Sequence, residues 1–114
     1  MDNRLNDALA FANYRLTLQI QRQNIEARVS AALLISYQNA IFKTSTDLVA
    51  FVDAKIKAGG ELRVEDQSGN VITIANPQEF LTQLISSFDN AMKLKQEEQQ
   101  RLKSARSTAK IVGL

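Results

Sequence analysis

The chain contains no cysteine and no histidine. The first absence removes disulfides, thiolate metal sites and cysteine nucleophiles, and the second removes the commonest general base and nitrogen ligand. A cysteine-free composition also suits a reducing compartment. No run of about 18 apolar residues occurs, so no membrane-spanning helix is expected. The opening Met1-Asp2-Asn3-Arg4-Leu5-Asn6 lacks the apolar core of a secretion signal. We therefore expect a cytoplasmic protein with no membrane partner. No linker, low-complexity tract or domain break interrupts the sequence.

What remains is 114 residues with 45% hydrophobic content, which suits a single domain over residues 1–114 with one core. The net charge of +2 is too small to imply a polyanionic partner by itself. Its distribution is uneven. Residues 1–28 carry four basic and three acidic groups, residues 29–92 four and seven, and residues 93–114 six and two. Only the last stretch is basic.

Asp2 and Asn3 precede a helical pattern, with Asp7 near a first turn whose dipole favours an acid. Leu5, Leu9, Ala12, Leu16 and Ile20 form one apolar stripe, and Phe11, Tyr14, Leu18 and Ile25 form a second. The pattern predicts a helix over about residues 3–28 with apolar surface on more than one side. Residues 31–44 pull both ways: Ala31, Ala32, Leu33 and Leu34 favour helix, while Ile35, Tyr37, Ile41 and Phe42 favour strand. We read a hairpin turning at about Gln38–Ala40, against the alternative of a continued helix. Ser45 or Thr46 then caps a second helix, whose apolar face is Leu48, Val49, Phe51, Val52 and Ile56 and whose end is Gly59-Gly60.

Glu61-Leu62-Arg63-Val64-Glu65-Asp66 alternates polar and apolar, and Val71-Ile72-Thr73-Ile74 is β-branched throughout. Gln67-Ser68-Gly69-Asn70 between them suits a reversal, so a second hairpin is expected. Asn76-Pro77-Gln78-Glu79 opens the last helix with a cap, a proline at its first position and the acid of a capping box. Helical spacing continues through Leu81, Leu84, Ile85, Phe88, Ala91, Met92, Lys95, Gln99 and Leu102, and helix formers run to about Arg106. The expected fold is α+β, in the order α-ββ-α-ββ-α. The hairpins are expected to join into one small antiparallel sheet with the helices on one face. Each hairpin precedes a capped helix with Phe and Leu near its start, a faint echo consistent with duplication.

Catalytic chemistry finds little here. Glu65-Asp66 could pair for acid–base work or hold Mg²⁺, but acids just before a turn commonly serve the turn. Ser68-Gly69 lacks the spacing of a nucleophile elbow. Gly59-Gly60 closes a helix where a phosphate loop would open one. No enzymatic activity and no cofactor are expected.

Lys95, Arg101, Lys103, Arg106 and Lys110, with Lys93, make a basic tail that could meet a phosphate backbone. Arg15 and Arg22, seven apart on the first helix, could extend it. Glu97 and Glu98 interrupt it, and no aromatic follows Phe88 to stack on bases. Association with protein is the stronger expectation. At 1.5 Å per residue the first and last helices measure about 39 and 45 Å, long against a radius of gyration of about 13 Å for a compact chain of this size. If one stripe of the first helix serves the core, the other is free for a second copy, most simply a dimer across a two-fold axis. The expected interface is Phe11, Tyr14, Leu18 and Ile25, with Leu102 of the last helix. Other protein partners are compatible with the same surface.

Three phrases, Leu9-Ala10-Phe11-Ala12-Asn13-Tyr14-Arg15-Leu16-Thr17-Leu18, Ile41-Phe42-Lys43 leading to Val49-Ala50-Phe51-Val52-Asp53, and Leu102-Lys103-Ser104-Ala105-Arg106-Ser107, touch both ends and the middle of the chain. Together they resemble small uncharacterised proteins of T4-like marine phages, cyanophages among them. In that group the turn of the first hairpin tends to be rich in glycine, whereas Gln38-Asn39-Ala40 stands here. The resemblance implies a virion component, an assembly factor or an accessory protein made during infection, located in the host cytoplasm or the virion. It carries no activity and assigns no site residue.

Overall fold

The computed structural model describes the backbone of residues 3–111 and the side chains of residues 4–104. Its elements are α1 (Asn3–Ala32), β1 (Leu34–Tyr37), β2 (Ala40–Lys43), α2 (Thr46–Ala58), β3 (Arg63–Glu65), β4 (Val71–Thr73) and α3 (Pro77–Ile111). The order is the expected one. α1 runs past its expected end because Ala31 and Ala32 are strong helix formers and Val29 is buried in that last stretch. Leu33 N–H still donates to Val29 C=O at 3.1 Å, and only then does the backbone extend into β1.

Residues 31–44 resolve as helix end plus hairpin. The turn is two residues long, with φ of 50° at Gln38 and 61° at Asn39, and Ala40 is already a strand residue paired with Tyr37. Both central residues are left-handed, as a hairpin turn matched to strand twist requires. Asn accepts that conformation readily, whereas it strains Gln by about 1–2 kcal/mol. Gln38 has compensation: its side-chain amide donates to Thr73 C=O at 3.0 Å and accepts from Ala75 N–H at 2.7 Å.

The same amide bears on a correction. The two hairpins were expected to join in one sheet; they form two separate two-stranded sheets, β1–β2 and β3–β4. β3 and β4 are three residues each. The Gln38 side chain instead bridges the two hairpins, bonding the Thr73 C=O of β4 and the Ala75 N–H just beyond it. A main-chain bond from Gln67 N–H to Ile41 C=O, 2.8 Å, adds a second stitch between the hairpins.

The caps follow the sequence. Ser45 Oγ accepts from Leu48 N–H at 3.1 Å, and Gly59, at φ 81°, ends α2. Asn76 Oδ1 accepts from Glu79 N–H at 3.2 Å, while the Glu79 carboxylate accepts from the Asn76 amide at 3.5 Å. In the second hairpin Asp66 Oδ1 accepts from both Ser68 and Asn70 N–H, each at 2.9 Å, so this carboxylate holds the turn.

The main core lies where both hairpins and α2 meet the first half of α3. Phe42, Val52, Leu62, Phe80 and Leu84 are fully buried there. Phe42 meets Phe80 edge-on at 5.1 Å between centroids, and Tyr37 lies tilted at 5.2 Å from the same ring. The Tyr37 hydroxyl donates to Asn76 C=O at 3.3 Å, tying the first hairpin to the start of α3. Among the described residues α1 supplies no buried side chain to this core. It packs on the later part of α3 in a smaller cluster of Ile25, Val29 and Ala91. The result is a head and a two-helix stem: the molecule measures 72 × 26 × 19 Å with a radius of gyration of 21.0 Å.

The buried Thr44 Oγ1 has no hydrogen-bond partner among the described residues. Valine has the same shape without the unpaired hydroxyl, whose burial costs about 1–3 kcal/mol. Thr44→Val is therefore expected to raise stability by about 1 kcal/mol, seen as a higher urea midpoint at unchanged slope; a lower midpoint would show that the hydroxyl is bonded.

Candidate functional site: the outward face of the first helix

α1 meets α3 through one face and runs antiparallel to it. Near the head, Ser87 Oγ donates to Ala32 C=O at 2.8 Å, satisfying a carbonyl in the last turn of α1. Further out, Ile25 and Val29 are buried against Ala91, with Met92 and Leu102 packed beside them. Ion pairs flank this seam: Arg28 with Glu98 at 3.2 Å, Arg101 with Glu98 at 3.5 Å, and Lys95 with Glu26 at 3.9 Å. Glu98, largely covered, accepts from Arg28 of α1 and faces Arg101 of α3.

Residues 4–24 of α1 contain no buried side chain. Leu5 is 53% exposed, Leu9 54%, Leu16 55% and Ile20 47%. With Ala12 they advance by four, three, four and four, so at 3.6 residues per turn they form one line along the helix. The same geometry sets that line nearly opposite Ile25 and Val29, facing away from α3. Its neighbours on the outward half are Asn6, Ala8, Asn13, Gln19, Gln23 and Asn24. Between residues 5 and 24 that half carries no charge. The charged groups of the segment, Asp7, Arg15 and Arg22, lie toward the α3 side.

This departs in part from the sequence-based division of the stripes. The Phe11–Tyr14–Leu18–Ile25 line was expected to face a second copy. Instead Ile25 is buried, Leu102 is half-buried in the same cluster, and Tyr14 and Leu18 are half-buried. Ile25 and Leu102 are therefore occupied within the chain. Phe11, 61% exposed, has the Arg15 guanidinium 5.9 Å from its ring centroid. The Leu5–Ile20 line, expected to serve the core, is uncovered, as is Phe11. A signal for this was present: Val29 extends the Ile25 stripe toward the head, whereas the other line passes from Ile20 to Gln23 and loses its large apolar residues before the head is reached.

The basic tail is divided. Lys95 and Arg101 face carboxylates, and Lys103 is exposed beside Arg22 in a shallow hollow between the helices. The Arg106 and Lys110 side chains lie outside the described residues. Among the described residues no group of three or more acids could hold a metal ion, and no helix is long and apolar enough to cross a membrane. A second apolar hollow, between α2 and α3, is lined by Val49, Ala50, Leu81, Ile85 and Phe88 and rimmed by Asp53 and Asp89. Comparison with protein families, curated proteins and solved structures finds no match to the chain.

The two faces of α1 should respond differently to truncation. Ile25→Ala is expected to destabilise the dilute protein by about 2 kcal/mol or more, as a buried aliphatic does. Leu16→Ala should change it by less than about 0.5 kcal/mol. Equal losses in urea titrations at low micromolar concentration would mean that the outward face is covered within one chain.

Proposed function

We propose that this protein is a non-enzymatic structural or assembly component that acts by self-association and partner binding through the outward face of α1. The observation that carries it is the uncharged line Leu5–Leu9–Ala12–Leu16–Ile20, left open by its own chain. Interface centres are depleted of charge in the same way. Surface area supports it too. The chain exposes 8266 Å², whereas a compact monomer of 12.7 kDa exposes about 6,200 Å². The excess of about 2,000 Å² is more than the roughly 800 Å² each partner gives to a standard interface.

Pairing two such faces would cover eight half-exposed leucine and isoleucine side chains, each contributing about 1 kcal/mol. That sum is of the same order as the free energy lost in tying two chains together. Association is therefore set by concentration, as suits a component that assembles where it accumulates. The resemblance to small phage proteins fits such a role, in a virion or in its construction within the host cytoplasm. The alternative of nucleic-acid binding by the basic tail has less beneath it, because Lys95 and Arg101 already face carboxylates.

Sedimentation of the native protein should give a mass that rises above 12.7 kDa with concentration. The Leu9→Lys/Leu16→Lys variant should stay at the monomer mass with an unchanged far-UV spectrum. A native mass fixed at the monomer value up to about millimolar protein overturns the self-association proposal.

A further inference from the structure

The four large residues of the uncovered line on α1 are placed symmetrically about its midpoint. Leu5 and Ile20 lie equally far from a point between Ala12 and Asn13, and so do Leu9 and Leu16. A helix face that reads the same from either end is self-complementary when two copies run in opposite directions. From this symmetry and the exposure of all four large residues, we infer that the partner covering α1 is a second copy of this chain. The two α1 helices pair antiparallel about a two-fold axis passing between Ala12 and Asn13. The inference rests on the proposed association through this face, and adds the occupant and its orientation.

Three features favour this occupant. In the antiparallel pair Leu5 meets Ile20 of the second copy and Leu9 meets Leu16, so every large residue of the line has an apolar counterpart. The small residue of the line, Ala12, falls at the axis, where two backbones can approach closely; packed helices lie about 8–10 Å apart. Charge offers no obstacle, because the outward half between residues 5 and 24 carries none. The α2–α3 hollow makes the contrast. Its rim holds Asp53 and Asp89, and a two-fold contact there would bring acids of one sign together. Because the outward line turns away from α3, the two α1 helices lie at the centre of the pair and the two α3 helices on its outside, the two halves being related by the axis.

The cysteine-free sequence allows a direct test by single substitution. Ala12→Cys puts a thiol beside the axis, within about 2 Å of its mate along the helix direction. Gln23→Cys, equally on the outward half, lies roughly 30 Å along that direction from its mate in the antiparallel pair and level with it in a parallel one. With a short bismaleimide, at concentrations where the native mass has risen, Ala12→Cys should run mostly at twice the monomer mass on a denaturing gel. Gln23→Cys should remain monomeric. Cross-linking of Gln23→Cys at a yield matching Ala12→Cys would show a parallel pair, overturning this inference while the association proposal stands. Failure of both to cross-link, in variants whose mass still rises with concentration, overturns it and moves the contact off this face. A native protein that never exceeds the monomer mass removes both.

Discussion

The seating of Phe80 between Tyr37 and Phe42 is the contact on which the rest of the molecule depends. It fixes the first turn of α3 in the head, and the Tyr37 hydroxyl bond to Asn76 C=O orients that turn. Because α3 continues beyond the head, the same contact sets the direction of the stem. α1 then lies where Ala91 lets its backbone approach, and Glu98 draws in Arg28 across the seam. Head and stem thus share one helix and have separate cores. Among the described residues no buried side chain of α1 reaches the larger core, and its buried contacts lie on the α3 side.

Much of this was legible in the sequence because local chemistry decided it. Ser45 and Asn76 cap their helices, Gly59 ends one, and Asp66 with Gly69 makes the second turn. Alternation in residues 61–66 puts Leu62 and Val64 inward. Two features were not legible, and both depend on distant partners. The hairpins stay separate, bridged by the Gln38 side chain reaching Thr73 and Ala75, a contact across more than thirty residues that no propensity reports. The division of the α1 stripes departs in part from the expected one for a related reason. Both lines are apolar at helical spacing, and only the position of Ala91 and Leu102 on α3 determines which is covered.

The contrast between the two faces of α1 is chemical as well as geometric. The covered face is bordered by charged groups that pair with α3, notably Glu26 with Lys95 and Arg28 with Glu98. The outward face offers leucine, isoleucine and alanine bordered by amides. Amides hydrogen-bond to water and to each other with little penalty, so the outward face can remain hydrated in the free chain and still be hidden in a complex.

One consequence of α3 concerns mechanics. Between Gln78 and Lys110 it contains neither proline nor glycine, the residues at which helices usually bend sharply. Its first half is clamped by aromatic rings and its second half projects as a rod. A sideways load at the far end therefore meets no joint along the way and is delivered as torque to the Phe42–Phe80 pair. In any assembly built on the rod, the orientation of one head is coupled stiffly to whatever its far end touches.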